Sequence, residues 1–326
     1  MRMNIHNQYL KWILQSRMGE ELQEVEPIKG GHSGFAYSVR TKKNSYVVKL
    51  AQPIGANLLG LEKPEQRVYG GRAKSFESSY RLLLTQQMPT FQLLAYGFPT
   101  EKVPYFYQVL SKLPGYSIRE HLSINKIKKA DLEFLAGEEL GRLHLITRRY
   151  DGWSDQKTPY LTSWKESFFL ALEGRVYHLS ENYLSKSDIK KISRFIKNKY
   201  ARWVDPDDFV FSHVDGLQGM VSYQNKWKFN GFIDLEDYRF TDQRFVLSGF
   251  EIGAHYSLSN ASNAFWRGYK KFKEIDASYG MLKDLFKLFY FSSWVQMTNE
   301  GIGEIGHSFL IRKFLNRINS IIEKKG

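Results

Sequence analysis

Two aspartates in the stretch 209–242 are the residues best placed by the sequence to do chemistry. A short apolar segment, 209–212, leads to Asp215, and a second one, 229–233, leads to Asp234. Apolar segments of this length are typical of strands, so we expect the two carboxylates at the ends of neighbouring strands. One carboxylate beside an alcohol and another beside a metal ion can together move a phosphoryl group. The pair therefore indicates phosphoryl transfer, provided that another part of the chain binds a nucleotide.

A glycine-rich segment near the N-terminus is the first candidate for that nucleotide site. Within residues 28–50, apolar side chains alternate with small or polar ones before a polar turn, and an apolar segment follows the turn, which predicts an antiparallel hairpin. Gly30, Gly31 and Gly34 open the hairpin, and glycine lets the backbone turn tightly and approach a ligand closely. Backbone N–H groups in such a loop can bind phosphates. The segment is either a phosphate-binding loop or an ordinary turn.

A lysine in the second strand of the hairpin favours the phosphate-binding interpretation. Lys49 interrupts the apolar segment 46–50, where its ammonium must either reach solvent or meet an anion. The later segment 72–87 has apolar residues on one helical face and carries Glu77 in its middle. Glu77 is either a solvated helix carboxylate or the partner of Lys49.

The composition narrows the class of protein. The chain has 326 residues, of which 42% are hydrophobic, enough for two lobes with a core each. The net charge of +13 comes from basic residues spread along the chain, which favours a solvated basic surface over a nucleic-acid site. No apolar stretch approaches the roughly 20 residues of a membrane span. The chain has no cysteine, which excludes disulfides and thiolate sites, and we expect a cytoplasmic protein.

The order of predicted elements divides the chain into two lobes. The strand-like segments 91–96 and 105–110 complete a small sheet with one helix across it. The composition then changes from strand-rich to helix-rich near 111–116. We expect an α+β fold with an N-terminal nucleotide-binding lobe at 1–112 and a C-terminal helical lobe at 113–326. The second lobe would hold the loops of Asp215 and Asp234 and the acceptor site.

Five segments in this order resemble the aminoglycoside phosphotransferase and choline-kinase-like family, which has the protein-kinase-like fold. LLAYGFP and SKLPGYSI resemble its strand–hinge region, and GEELGRLH resembles its G-x-x-L-x-x-LH helix. SHVDGLQGMV resembles its catalytic loop, and NGFIDLEDYRFTD resembles its metal-binding loop. The resemblance covers residues 24–260 and implies a small antiparallel-sheet lobe with one helix and a larger, mainly helical lobe.

The resemblance implies a nucleotide site in the N-terminal lobe. Gly30, Gly31 and Gly34 would cover the phosphates of ATP. Lys49, held by Glu77, would contact the inner phosphates. The adenine pocket would be lined by the segment 109–113, which contributes Val109, Ser111 and Leu113.

The resemblance also implies the roles of the two aspartates. Asp215 would accept the proton of the substrate hydroxyl or orient that hydroxyl, and Asp234 would bind Mg²⁺ that bridges the phosphates. His213 would brace the catalytic loop, and Asp242 would steady the same region. These roles predict an ATP- and Mg²⁺-dependent kinase that acts on the hydroxyl of a small molecule.

Met220 departs from the family pattern and leaves two alternatives open. It stands five residues after Asp215, where the family has an asparagine that ligates a metal ion. A thioether is a poor ligand for Mg²⁺, which prefers oxygen. Either the enzyme works with one well-held metal ion, or with Gln218 or a water in place of the asparagine, or the chain is a catalytically impaired kinase-fold protein that binds nucleotide or a partner. The retained lysine, glutamate and aspartates favour an active enzyme.

A group of acidic residues near the two aspartates suggests the class of acceptor. In a basic protein these carboxylates would suit a cationic, aminoglycoside-like or amino-alcohol substrate, although they are equally compatible with ordinary loop residues. They are Asp205, Asp207, Asp208, Glu236, Asp237 and Glu251. The identity of the acceptor does not follow from this pattern.

Overall fold

The computed structural model describes residues 2–28, 34–51, 64–118, 129–213, 216–252, 261–299 and 307–323. The chain forms two compact units. Unit 1 consists of Met1–Ser117 and Gly219–Asp237, and unit 2 consists of Ile118–Gln218 and Tyr238–Gly326. Within the described ranges, no helix combines the length and apolar character that crossing a membrane requires.

Unit 1 is built on a five-stranded antiparallel sheet with the order β1-β2-β3-β5-β4. Two helices, α1 (Arg2–Met18) and α2 (Pro64–Thr85), belong to the same unit. The strands are β1 (Leu22–Ile28), β2 (Gly34–Thr41), β3 (Ser45–Ala51), β4 (Leu93–Gly97) and β5 (Phe106–Ser111).

The alternation of side chains along β3 gives this sheet two different faces. On one face, apolar residues of β2, β3 and β5 join Leu10, Ile13 and Leu14 of α1 in a hydrophobic core. Lys49 points to the other face and lies directly opposite Gln108 of β5. Because directly opposed residues of antiparallel strands share a face, Lys49 and Gln108 lie side by side, away from that core.

A second sheet in unit 1 carries the chain towards Asp234. It contains β6 (Tyr116–Ser117), β10 (Gly219–Gln224) and β11 (Lys226–Phe232) in the order β11-β10-β6. After β11 the chain enters a 3₁₀ turn at Leu235–Asp237, which packs against α2. The Oγ of Ser75 in α2 donates a hydrogen bond to the carbonyl of Glu236 over 3.3 Å, which ties the turn to the helix.

Unit 2 combines helices with a four-stranded sheet of the order β7-β9-β12-β8. Its strands are β7 (Thr147–Arg148), β8 (Gly152–Trp153), β9 (Phe209–His213) and β12 (Tyr238–Thr241). Its helices are α3 (Lys129–Leu143), α4 (Trp164–Asn182), α5 (Lys186–Arg202), α6 (Gln243–Glu251), α7 (Asn263–Lys270), α8 (Tyr279–Asn299) and α9 (His307–Glu323).

Local sequence signals account for several of these helices. Capping boxes at Ser163 and Ser185 begin α4 and α5, because each serine satisfies an N–H of the first turn. Close contact between α3 and α7 requires glycine on both helices. A Cβ at Gly137 would lie 2.0 Å from the carbonyl oxygen of Phe265, and one at Gly268 would lie 2.1 Å from that of Phe134. Gly137, the first glycine of the GEELGRLH segment, therefore serves helix packing.

The structure confirms the predicted α+β class and corrects one detail of the prediction. The two strands that lead to the aspartates, β9 and β11, belong to different sheets and are not neighbours. The first unit extends to Ser117, whereas the predicted lobe ended at residue 112, and it also contains Gly219–Asp237. The reason is β-pairing: Met220 and Val221 of β10 pair with Ser117 and Tyr116 of β6. Asp234 therefore belongs to unit 1.

Candidate functional site

The ammonium of Lys49 is held between two carboxylates of the turn that follows β11. Its Nζ donates to Asp234 Oδ1 over 2.8 Å and to Glu236 Oε1 over 2.7 Å. All three residues lie in unit 1, although the carboxylates are more than 180 positions away in sequence. We call these three residues the lysine cluster. The sequence left open whether the ammonium of Lys49 reaches solvent or meets an anion. In the structure it pairs with two carboxylates.

The electrostatics of the cluster keep Lys49 charged. Burial on its own disfavours the ammonium form and lowers the pKa of Lys49. The negative charges of Glu236 and Asp234, together with their hydrogen bonds, outweigh burial and raise the pKa above its ordinary value. Lys49 itself therefore stays positively charged at neutral pH, as the lysine of a phosphate-binding site would need to be.

Asp234 reaches the lysine from a strained backbone position. Its φ is +63°, in the left-handed region that few residues other than glycine, asparagine and aspartate adopt. The carbonyl of Asp234 accepts the N–H of Asp237 at 3.5 Å, which closes the turn. Strain of this kind persists where surrounding contacts over-determine the conformation, and such positions concentrate at functional sites.

The donor set of the lysine cluster fits a magnesium ion. Mg²⁺ prefers oxygen ligands, especially carboxylates. The Oε2 atom of Glu236 is buried and accepts no hydrogen bond from a described residue, so this carboxylate has unused capacity. The Asp234 side chain is half exposed. Two carboxylates within one short turn, one with an unsatisfied oxygen, are suitable ligands for a hard cation.

The structure does not form the predicted pair between Lys49 and Glu77. Glu77 lies on α2, where it is exposed and pairs with Arg81 one turn later, over 2.5 Å. Glu236 takes the place that was predicted for Glu77. Sequence reasoning missed this because it gave Glu236 a role at the acceptor only. Its position two residues after Asp234, within one tight turn, was the available signal.

The predicted glycine loop lies partly outside the described residues, which exclude Gly30 and Gly31. Gly34 is the first residue of β2 and lies opposite Ala51. A Cβ at this position would come within 2.6 Å of the carbonyl oxygen of Leu50, so only glycine fits. Close pairing of β2 with β3 explains this glycine without a ligand.

The three residues predicted to line the adenine pocket have different surroundings. The Val109 side chain is buried in the core that includes α1, so only its backbone can face a ligand on the Lys49 side. Ser111 pairs with the backbone of Gln92 and accepts its N–H at 2.8 Å through Oγ. Leu113 is partly exposed and lies beside Gly231 of β11.

The catalytic-loop prediction is described only in part, because Asp215 lies outside the described residues. His213, immediately before the loop, is fully buried at the end of β9, and its ring lies edge-on against Tyr238. Met220 lies on β10 in unit 1, opposite both Gly231 and Ser117. The place predicted for a metal-binding asparagine is therefore a half-buried strand position.

The acidic residues predicted to suit a cationic acceptor are divided between the two units. Glu236 and Asp237 belong to unit 1, and Glu236 is engaged by Lys49. In unit 2, Glu251 pairs with Lys283 and Lys287 at 3.1 Å each. Asp205 accepts hydrogen bonds from the indole of Trp203 and the N–H of Lys165.

Asp207 and Asp208 are exposed. The predicted acidic group is therefore not one surface, and several of its members have structural partners.

Unit 2 also contains an open groove of about 860 Å³ between α4 and α5. Aromatic and aliphatic side chains line most of it, with Glu166, Glu173 and Lys197 among them. Its size falls in the range of small-molecule sites.

A model of the phosphotransferase enzyme family matches residues 24–245. No curated protein matches the chain.

Among solved structures, aminoglycoside phosphotransferase APH(4)-Ia is similar with a TM-score of 0.66 and 11% identity, covering 98% of this chain and 99% of that one. The GDP and kanamycin complex of APH(2")-IIIa gives a TM-score of 0.62 and 14% identity, with coverage of 98% and 99%. A Thermobifida fusca YX-ER1 protein, provisionally assigned as a fructosamine-3-kinase, is similar with a TM-score of 0.62 and 13% identity, covering 96% of this chain and 98% of that one. At these identities the similarity confirms the predicted protein-kinase-like fold.

Proposed function

This chain belongs to the phosphotransferase enzyme family, and from that premise we propose that it is an ATP- and Mg²⁺-dependent kinase that transfers the γ-phosphoryl group to a hydroxyl of a small molecule. The lysine cluster carries the proposal. A charged lysine held by two carboxylates at 2.7 and 2.8 Å supplies both a phosphate-binding cation and oxygen ligands for a metal ion. Phosphoryl transfer depends mainly on such positioning and charge neutralisation.

Each residue of the proposed site has a distinct task. Lys49 would donate to the inner phosphates of the nucleotide, and Asp234 with Glu236 would hold Mg²⁺, which would neutralise phosphate charge. Asp215 orients the acceptor hydroxyl and takes its proton. Gly30, Gly31 and Gly34 cover the phosphates, while Val109, Ser111 and Leu113 line the base. Glu77 stays a prediction for the same site, without the pairing to Lys49.

We propose a hydroxyl-bearing and cationic small molecule as the acceptor. The similar solved structures include aminoglycoside phosphotransferases in complex with hygromycin B or kanamycin. These are hydroxyl-bearing compounds, and we extend the class, but not the compounds, to this chain. A cationic acceptor is supported by the exposed carboxylates of Asp207 and Asp208. An acceptor screen should therefore contain amino sugars, amino alcohols and neutral sugars side by side.

Nucleotide turnover with single substitutions tests the proposal. The purified protein should consume ATP in the presence of Mg²⁺ and an acceptor from that screen. Lys49→Met should lower turnover by at least a hundredfold, because the phosphates lose the cation that is proposed to bind them. Asp215→Ala should abolish transfer while nucleotide binding, measured by calorimetry, is kept.

The matched control is Lys42→Met, which removes an exposed lysine from the turn between β2 and β3. It should keep wild-type turnover. Unchanged turnover in Asp215→Ala would show that the assigned role of this aspartate is wrong. Equal loss in Lys42→Met and Lys49→Met would show that general charge, and not the lysine cluster, supports activity.

Met220 motivates a second candidate, a kinase-fold protein that binds nucleotide without transferring phosphate. Met220 lies on a strand and offers only a thioether to a metal ion. This candidate predicts thermal stabilisation by ATP with no transfer to any compound in the screen. Met220→Asn separates the two, since a sharp rise in activity would show an impaired but otherwise intact enzyme.

A further inference from the structure

Gln108 is a buried carboxamide whose hydrogen-bonding groups are unmatched among the described residues. It lies in the middle of β5 and is 1% exposed. Neither its Oε1 nor its Nε2 has a hydrogen-bond partner in the described part of the chain. Most buried polar side chains in proteins are paired, and a buried amide without a partner costs stability. An apolar side chain would be more favourable for folding at this position.

The position of Gln108 connects it with the proposed nucleotide site. It lies directly opposite Lys49 and on the same face of the sheet. Val109, the first residue of the segment proposed to line the base, follows it immediately. The Val109 side chain points to the other face, into the core that includes α1. Gln108 is therefore the residue of β5 whose side chain lies beside Lys49.

The chemistry of a carboxamide identifies the part of a nucleotide that it can serve. Phosphate oxygens accept hydrogen bonds, and Lys49 already supplies a stronger donor for them. A metal ion uses only acceptors, which Asp234 and Glu236 provide. A carboxamide offers one acceptor and a pair of donors side by side. The matching edge is that of a purine base, on which a donor and an acceptor adjoin at positions 6 and 1 or 7.

We propose that Gln108 reads the 6-position of a purine, so that the nucleotide site selects adenine or guanine nucleotides over purines without a 6-substituent. This inference rests on the proposed function. With adenine, Oε1 accepts from the 6-amino group while Nε2 donates to a ring nitrogen. With guanine, the flipped amide donates to the 6-oxygen and accepts from N1–H. Gln108 is buried in this structure. The base can therefore reach its carboxamide only after a local rearrangement of the residues that cover it.

Equilibrium binding of three nucleotides tests the inference without any acceptor. The probes are ATP, GTP and purine riboside 5′-triphosphate, which has the same ring and phosphates but only hydrogen at position 6. Wild-type protein should bind ATP at least tenfold more tightly than purine riboside triphosphate, because the latter leaves the buried amide unpaired. Gln108→Met should weaken the binding of ATP and leave the binding of purine riboside triphosphate unchanged. The affinities of this variant for the two nucleotides should then differ by less than twofold.

The control variant is Gln23→Met, which makes the same substitution at an exposed position of β1. This variant should keep the wild-type ratio of the affinity for ATP to the affinity for purine riboside triphosphate. If Gln108→Met folds poorly, the wild-type ratio alone decides, and equal affinity for ATP and purine riboside triphosphate overturns the inference. An unchanged ratio in a folded Gln108→Met protein also overturns it. If wild-type protein binds none of the three triphosphates, the proposed function fails together with it.

Discussion

Two charged clusters, whose aspartates Asp234 and Asp242 are eight residues apart in sequence, use the same chemistry in opposite ways. In unit 2, Asp242 is fully buried and Arg244 is 2% exposed, and the pair is joined over 2.6 Å. In the lysine cluster of unit 1, Lys49 is 27% exposed and Asp234 is 46% exposed. Both clusters pair a carboxylate with a cation. They differ in burial and in how many of their hydrogen-bonding groups are satisfied.

The Asp242–Arg244 pair is saturated by protein. Both carboxylate oxygens of Asp242 accept from Arg244, and Oδ1 also accepts the backbone N–H that caps α6. The guanidinium continues to the Oγ of Ser278 and the carbonyl of Val204. Burial nevertheless raises the pKa of Asp242, against the opposing effect of Arg244. A cluster with so many internal partners has little capacity for a ligand, so its role is structural.

One carboxylate of the lysine cluster is not fully hydrogen-bonded by the described residues. One oxygen of Glu236 is buried without a partner among the described residues, and Asp234 adopts a strained backbone conformation. Both features cost stability in the protein alone, and a ligand that completed the coordination would offset that cost. The comparison teaches that incomplete satisfaction, and not the presence of charge, separates the proposed binding site from the structural ion pair.

The largest expected effect comes from breaking the saturated pair. Arg244→Met leaves Asp242 buried without its cation, which should lower the free energy of unfolding by about 3–5 kcal/mol. Urea denaturation at pH 7 measures this effect. The control is Arg81→Met, which breaks the exposed pair with Glu77 and should cost less than about 1 kcal/mol. Similar losses in both variants would contradict the structural role of Asp242–Arg244.

An intermediate effect should come from neutralising the unsaturated cluster. Glu236→Gln removes a negative charge beside the proposed phosphate site, so ATP should bind about three- to tenfold more tightly without Mg²⁺. The same variant should gain less affinity on addition of Mg²⁺, because one oxygen ligand is weakened. Calorimetry with and without Mg²⁺ measures both changes.

Glu77→Gln makes the matched change in the residue that the sequence paired with Lys49. Because Glu77 contacts Arg81 in the structure, the variant should change the affinity for ATP by less than twofold, both with and without Mg²⁺. A larger effect from Glu77→Gln than from Glu236→Gln would return the lysine-holding role to Glu77.

The smallest effect should come from Glu251, a second saturated carboxylate of unit 2. Burial acts to raise the pKa of Glu251, but the hydrogen bond from Tyr279 and the charges of Lys287 and Lys283 outweigh it and lower the pKa. A lowered pKa contributes stability above the unfolded value of 4.5, and that stability is lost as the pH falls below it. Glu251→Gln should therefore cost on the order of 1 kcal/mol at pH 7, allowing for solvent screening.

The pH dependence distinguishes this ion pair from simple packing. The difference in unfolding free energy between wild type and Glu251→Gln should shrink as the pH is lowered from about 5 to about 3. A difference that stays constant over this range would show that the lost contacts are not electrostatic.

Much of the fold was predictable because local signals agreed with it. The hairpin that contains Lys49 follows from alternation, and the serines that begin α4 and α5 follow from capping chemistry. The phosphoryl-transfer class also followed from the order of motifs, and the family match supports it. What failed were pairings between distant segments. β9 and β11 were expected as neighbours, and they lie in different sheets.

The sequence by itself determined which residue types were available: a lysine within an apolar strand, two aspartates after strands, and a methionine in place of an asparagine. Only the tertiary structure decided the partners. Glu236 holds Lys49 while Glu77 turns to Arg81, because β11 and the following turn pack against α2. Register likewise places Gln108 beside Lys49. Residue type limits the possible chemistry, whereas partner choice depends on long-range packing that no local pattern encodes.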